Sequence, residues 1–315
     1  MVRKLIILLV FLVLAAVFLL YPRQVEQPRV SISVSGAWAL YPMVVRWGEE
    51  YQKSHPNVKV DISAGGAGKG MADALNGLVD IGMVSREIDA SEVEKGAFGI
   101  SVVKDAVLPT ANRESPFADR LASHGLTKTL FKELFVSGSL TDWNQVFGLS
   151  GSGGKINVYV RSDSCGAGEV WGKYLGVKQE DLNGIGIYGD PGIAEAVSRD
   201  ADGVGFNNLN YAFDSNTTLP VGNLMIIPID LNEDGVIDDG ESFYSNSREV
   251  MQAIADGRYP SPPARELYLV TKGKPSGQVK DFIQWILADG QQYVVESGYI
   301  ALKPDSLSEQ VNKVS

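Results

Sequence analysis

A chain of 315 residues that is 44% hydrophobic and 21% charged can bury a large core and divides most naturally into two domains. Its formal charge of −10 argues against a nucleic-acid or polyanion partner, which would call for basic patches, although a small anion held by a few donors does not depend on net charge. The single cysteine, Cys165, excludes an internal disulfide framework and any multi-cysteine metal site.

Arg3 and Lys4 precede an unbroken apolar run from Leu5 to Tyr21, which is followed by Pro22 and a polar stretch to Pro28. The run is just long enough to span a bilayer and shows neither a small-residue cleavage site nor a lipid-bearing cysteine. It reads as an uncleaved anchor over 1–28 with its basic end in the cytoplasm and the rest of the chain outside, a signal cut at an atypical site being the alternative.

After this linker, Val30–Val34 alternates as a strand, and Ser35-Gly36-Ala37-Trp38 makes a turn. From Ala39 to Lys53 the residues Leu40, Val44, Trp47 and Tyr51 fall at helical spacing. A second strand, Val58–Ile62, leads into the glycine-rich corner S-A-G-G-A-G-K-G (63–70) and a helix ending near Gly77, then a short strand ends at Ser85-Arg86. The glycine corner is not a phosphate-binding P-loop: the spacing fails, and Met71 stands where a hydroxyl residue is needed. Further on, the apolar run Ile156–Val160 enters V-R-S-D-S-C-G-A-G-E-V-W (160–171), a third strand-to-helix corner. Each corner offers free backbone N–H groups and the positive end of a helix dipole, and Arg161 adds a planar donor fork. Asp163 is placed to pair with that fork. Cys165 as a nucleophile would need an imidazole, and only His55 and His124 exist, both in surface-like turns.

Asp230 to Glu241, D-L-N-E-D-G-V-I-D-D-G-E, fits a calcium-loop pattern. Hard oxygens stand at Asp230, Asn232 and Asp234, Gly235 makes the turn, the Val236 carbonyl and Asp238 follow, and Glu241 closes the site bidentately. A strand, Leu224–Ile229, precedes it and a helix, Ser245–Ala255, follows, so the expectation is a lone structural calcium loop. Asn216-Thr217-Thr218 is a glycosylation sequon.

The order of motifs resembles the periplasmic-type phosphate-binding proteins that serve phosphate ABC transporters. The resemblance covers about residues 30 to 302 and rests on S-G-A-W-A-L-Y-P (35–42), M-A-D-A-L-N-G-L-V-D-I-G-M-V-S-R (71–86) and the arginine corner. It continues through G-D-P-G-I-A-E-A-V (189–197), D-G-V-G-F (202–206), Y-L-V-T-K-G-K-P-S-G-Q-V-K-D-F-I (268–283) and S-G-Y-I-A-L (297–302). It implies an α/β, bilobed type II periplasmic binding protein fold, with two mixed-sheet lobes joined by two crossing segments near 106–112 and 265–271. Residues 29–108 with 268–315 would form lobe 1, and 109–267 lobe 2. It further implies a non-enzymatic, monomeric, extracytoplasmic carrier that closes on phosphate or a similar oxyanion and delivers it to an ABC permease.

Carried over residue by residue, the resemblance places the ligand against Ala37, Trp38, Ala39, Ala67, Gly68, Ser85, Arg161, Cys165, Gly166 and Ala167. Several hydroxyl donors of the family are absent here: Trp38, Ala67, Cys165 and Ala167 stand at Ser/Thr positions, and Ser85 stands where some members have aspartate. Each lost hydroxyl removes roughly 0.5–1.5 kcal/mol of net hydrogen bonding. Lys69, Arg86, the Trp38 indole and backbone amides are possible replacements. The alternatives are a different small anion, partly apolar and stacked on Trp38, or a membrane-tethered receptor or adhesion module that kept the fold without transport. Replacing Arg161 by alanine is expected to abolish binding and spare the fold.

Overall fold

The computed structural model describes residues 30–315. The expected anchor over 1–28 lies outside the described residues, and no helix among those described is long and apolar enough to cross a membrane. Strand β1 (Val30–Gly36) pairs in parallel with β2 (Val58–Ala64) on one side and β3 (Ile81–Val84) on the other. Helix α1 (Tyr41–Ser54) joins β1 to β2 and buries Met43, Val44, Trp47 and Tyr51, the stripe that the 3.6-residue period selects. It starts at Tyr41 with Pro42 in its first turn, where a missing N–H costs nothing.

Helix α2 (Ala67–Leu75) follows β2 and packs unusually close to the sheet. A Cβ on Gly70 would stand 2.4 Å from the Met83 carbonyl, and one on Gly36 would stand 2.7 Å from Gly70 Cα. The glycines of this corner therefore serve first to let helix and strands touch. Gly66, with φ 91°, turns the chain into the helix in a conformation that a side chain would strain.

Strand β4 (Ala97–Asn112) is buried along almost its whole length. The second half adds β5 (Leu126–Thr127), β6 (Asn157–Arg161), helix α3 (Gly166–Leu175), β7 (Ile185–Ile187), α4 (Gly189–Arg199), β8 (Gly203–Asn208), β9 (Leu224–Ile226) and β10 (Ile229–Asp230). Strand β11 (Ala264–Lys272) returns to the first half. The strand order is β2-β1-β3-β11-β4-β8-β6-β7, with β9 also on β4. Residues 97–106 of β4 pair antiparallel with β11, and from Val107 onward the partner is β8, joined by β9 at Thr110.

Two large hydrophobic cores flank this strand. One is built from residues between Ile32 and Val103 together with Leu267 to Val314, the other from residues between Ala106 and Ala264 with Ile300. The molecule is thus an α/β, bilobed, mixed-sheet protein. Its two sheets are stitched into one hydrogen-bonded path because β4 is a single unbroken apolar strand.

Candidate functional site

The three corners lie at the carboxyl ends of the parallel strands β1, β2 and β6, and they meet across the lobes. A Cβ on Gly166 would stand 2.3 Å from both the carbonyl and Oγ of Ser85. Added carbons on Gly66 and Gly68 would each stand 2.5 Å from an oxygen of Ser164. Ser85 is buried at the end of the first lobe's β3 and faces the start of α3 in the second. Cys165 caps α3, its Sγ accepting from Gly168 N at 3.3 Å, while its own N–H donates to Gln179 Oε1 at 3.1 Å.

Around this junction main-chain donors are left over. The Ala37 N–H is spent on Met83 O, and those of Gly65 and Gly66 on Gly36 O. The N–H groups of Trp38, Ala39, Ala67, Gly68, Gly166 and Ala167 donate to no described acceptor. Ala39, Ala67, Gly166 and Ala167 are buried, so water does not readily serve these donors, and unpaired buried donors are costly. The Trp38 indole Nε1 is likewise buried without a partner. Trp38 bridges the lobes: its ring meets Tyr188 and Tyr211 edge-on, and its carbonyl accepts from the Tyr211 hydroxyl at 3.2 Å.

Arg161, at the end of β6, is 5% exposed and fully engaged by carboxylates. Nε and Nη2 donate to Asp163 at 2.8 and 2.5 Å, and Nη1 donates to Asp190 Oδ2 at 2.5 Å. Three of five donors are used, leaving one N–H on each terminal nitrogen for a ligand. Burial pushes the Asp163 carboxyl up, but Arg161 outweighs it and holds the group below the usual carboxylate range. Burial likewise opposes the charge on Arg161, and Asp190 foremost keeps the guanidinium protonated.

Asp190 also accepts from Asn208 N at 3.0 Å and Asn208 Nδ2 at 2.7 Å. Asn208 Oδ1 in turn accepts from Arg265, whose Nη2 approaches Asp105 at 3.6 Å. This chain of groups runs from the arginine corner to the paired strands β4 and β11. Burial raises the Asp105 carboxyl to about 6, against the opposing pull of Arg265. Two guanidiniums face three carboxylates, so the network brings no surplus of positive charge to the junction. Any anion there must be held chiefly by dipoles.

The sequence did not point to Asp190, Asn208, Asp105 or Arg265. The one available signal was polar residues directly ending apolar runs, as in G-F-N-N (205–208). Two suggested replacement donors prove committed elsewhere. Lys69 pairs with Asp73 on its own helix, and Arg86 is forked on Glu92 and reaches Glu169 of the opposite lobe at 2.9 Å. A second pair across the lobes joins Lys173 to Glu87 at 2.7 Å. Cys165 is buried, which pushes its thiol up to about 12, so a thiolate nucleophile is not available near neutrality.

The acidic loop lies apart from this junction. It leaves β10 at Asp230 and is pinned by Ile237 N donating to Ser123 O at 3.0 Å. Asp230 and Glu241 are buried, while Asn232, Asp234, Val236 and Asp238 are exposed.

Two α/β lobes closing their glycine corners on one another define the class of bilobed binding proteins. The chain belongs to the family described as PBP superfamily domain, which matches residues 22–290. Among curated relatives it is 26% identical to the phosphate-binding protein PstS of Xylella fastidiosa (strain Temecula1 / ATCC 700964), over 91% of this chain and 86% of that one. It is 22% identical to the phosphate-binding protein PstS of Bacillus subtilis (strain 168), with the same coverage. Among solved structures it is similar to a putative phosphate ABC transporter substrate-binding protein with bound phosphate from Clostridium perfringens, with a TM-score of 0.70, 23% identity, and coverage of 87% of this chain and 100% of that one. An ABC-type phosphate transport receptor from Vibrio cholerae gives a TM-score of 0.62 at 20% identity, covering 86% of this chain and 100% of that one.

Proposed function

We propose that this chain is an extracytoplasmic solute-binding protein, held at the membrane by residues 1–28, that closes as a monomer on phosphate or a closely similar oxyanion and delivers it to an ABC permease. The observation that carries the reading is the set of unpaired, largely buried N–H groups at Trp38–Ala39, Ala67–Gly68 and Gly166–Ala167, brought together where the lobes meet. Helix starts of this kind favour an anion through their aligned N–H groups and dipoles. Arg161 adds its two remaining N–H donors and Ser85 its hydroxyl. The assignment of 29–108 with 268–315 and 109–267 to the two lobes is supported to within a few residues by the two cores. The chain's role is binding without catalysis.

The pairs Arg86–Glu169 and Lys173–Glu87 hold the lobes shut, so ligand release requires them to part. A second reading, a different small anion, is favoured by Trp38, which sets a buried indole N–H beside the corners in place of a hydroxyl. Isothermal titration with phosphate, then sulfate, molybdate and small carboxylates, separates the two. Micromolar or tighter phosphate binding is the expected result, and a response confined to another anion would transfer the site to the second reading. Silence toward every anion would overturn both and leave a tethered module that has lost transport.

A further inference from the structure

We propose that the loop Asp230–Glu241 is a calcium site that fastens the edge of the second lobe. Six of its twelve residues are acidic, and no lysine or arginine among the described residues pairs with any of them. The decisive feature is the state of its first and last carboxylates. Asp230 is 2% exposed, and its Oδ2 accepts from Gly235 N at 2.9 Å while its Oδ1 is buried without a partner. Glu241 is 5% exposed, and its Oε1 accepts from Leu231 N at 2.7 Å and Asn232 N at 3.2 Å while its Oε2 is also buried without a partner. Both groups bond to the loop's own amides, so the two orphan oxygens face its interior. Burying a charge without a partner is strongly unfavourable, and a divalent cation between these oxygens removes the penalty at both ends of the loop.

The remaining ligands stand at the positions such a cation requires. Asn232 Nδ2 reaches Asp234 Oδ2 at 3.2 Å and Asp238 Oδ2 at 3.4 Å, which places the amide between the two exposed carboxylates. No three His, Cys, Asp or Glu side chains among the described residues already stand at metal-holding separation. Binding therefore turns the Asn232 amide oxygen inward and draws Asp234 and Asp238 onto the ion, with the Val236 carbonyl completing the set. A flexible all-oxygen site with a bidentate glutamate suits calcium and serves magnesium poorly, because magnesium demands a tight octahedron and keeps its waters. The ion would act on the lobe as a clasp. The loop links β10, paired with β5, to Phe243 and Tyr244 in the core, and Tyr244 accepts from Ile229 N at 3.2 Å.

The test is calorimetric titration of the full-length chain with calcium chloride, with thermal unfolding in calcium, in magnesium and in chelator. One calcium per chain is expected, with a higher melting temperature in calcium than in magnesium or chelator. Glu241→Gln should weaken calcium binding by more than the roughly 10-fold that loss of a mere outer partner costs. Because Glu241 is buried and its variant could fail to fold, Asp234→Asn at an exposed position provides the second arm, with the same direction of change and the chelator melting temperature unaltered. Absence of binding heat together with equal melting in calcium and chelator would overturn the assignment, as would wild-type affinity in Asp234→Asn. Anion binding at the lobe junction is read separately, by titration in chelator.

Discussion

Replacing Arg161 with alanine removes the partner of two carboxylates whose side chains are 7% and 0% exposed. Breaking a buried pair by deleting one member costs about 3–5 kcal/mol, because a charge is left uncompensated. The figure is not doubled for two partners, since Asp190 keeps both Asn208 donors and Asp163 keeps Gly189 N at 3.1 Å. At roughly 2–4 °C per kcal/mol for a chain of this size, the melting temperature should fall by roughly 6–20 °C at pH 7. The pH dependence gives the test its sign. In the native protein the folded-state pKa of Asp163 is depressed, so its contribution is present above the unfolded value and lost only as pH falls through the folded one. In the variant only burial remains, which raises the same group, so acid relieves the penalty as the carboxyl takes up its proton. Scanning calorimetry at pH 7, 5.5 and 4.5 should therefore show a gap that is widest at pH 7 and narrows toward acid. A variant melting within about 2 °C of wild type at pH 7, or a gap unchanged by pH, would refute the reasoning. The expectation from sequence, that this substitution spares the fold, is reversed by the network around Arg161.

Asp105 should behave in the opposite sense. Its folded pKa, raised to about 6, imposes a penalty above that pH which is relieved as pH falls toward the unfolded value. Urea midpoints should rise between pH 7 and 5 by the equivalent of at most about 3 kcal/mol from this group, and Asp105→Asn should flatten that slope. Gly166→Ala tests closure, since its methyl would meet the Ser85 carbonyl at 2.3 Å across the junction. Ligand-free melting should change little, whereas the rise in melting temperature on adding phosphate should disappear.

The local half of this architecture was legible. The spacing of Val44, Trp47 and Tyr51 announced α1, the glycines announced the corners, and Asp163 two residues past Arg161 announced their pair. Boundaries moved by a few residues: β1 runs on through Gly36, and α1 begins at Tyr41. The unreadable half depends on strand order. Asp190 and Asn208 reach Arg161 only because β8 lies beside β6, and Asp105 meets Arg265 only because β4 pairs with β11. No local pattern encodes those adjacencies. Lys69 with Asp73, four apart on a helix, was in principle foreseeable as a pair, whereas the reach of Arg86 to Glu169 across the lobes was not. Trp38 could not be placed from sequence, because an aromatic beside a helix start packs equally well into a core or against another lobe.

The course of β4 and β11 also bears on how the chain matures as it is made. The second core draws almost wholly on one continuous stretch, from Ala106 to Ala264, so it has nearly all its parts as soon as that stretch has emerged. The first core cannot close at that stage. Residues 97–106 lack their partner strand, and Leu267, Phe282 and Tyr299 have still to be synthesised. Until the last fifth of the polypeptide appears, the early β1–β3 unit carries an unpaired apolar edge at β3, the place where a holding chaperone would engage the nascent chain.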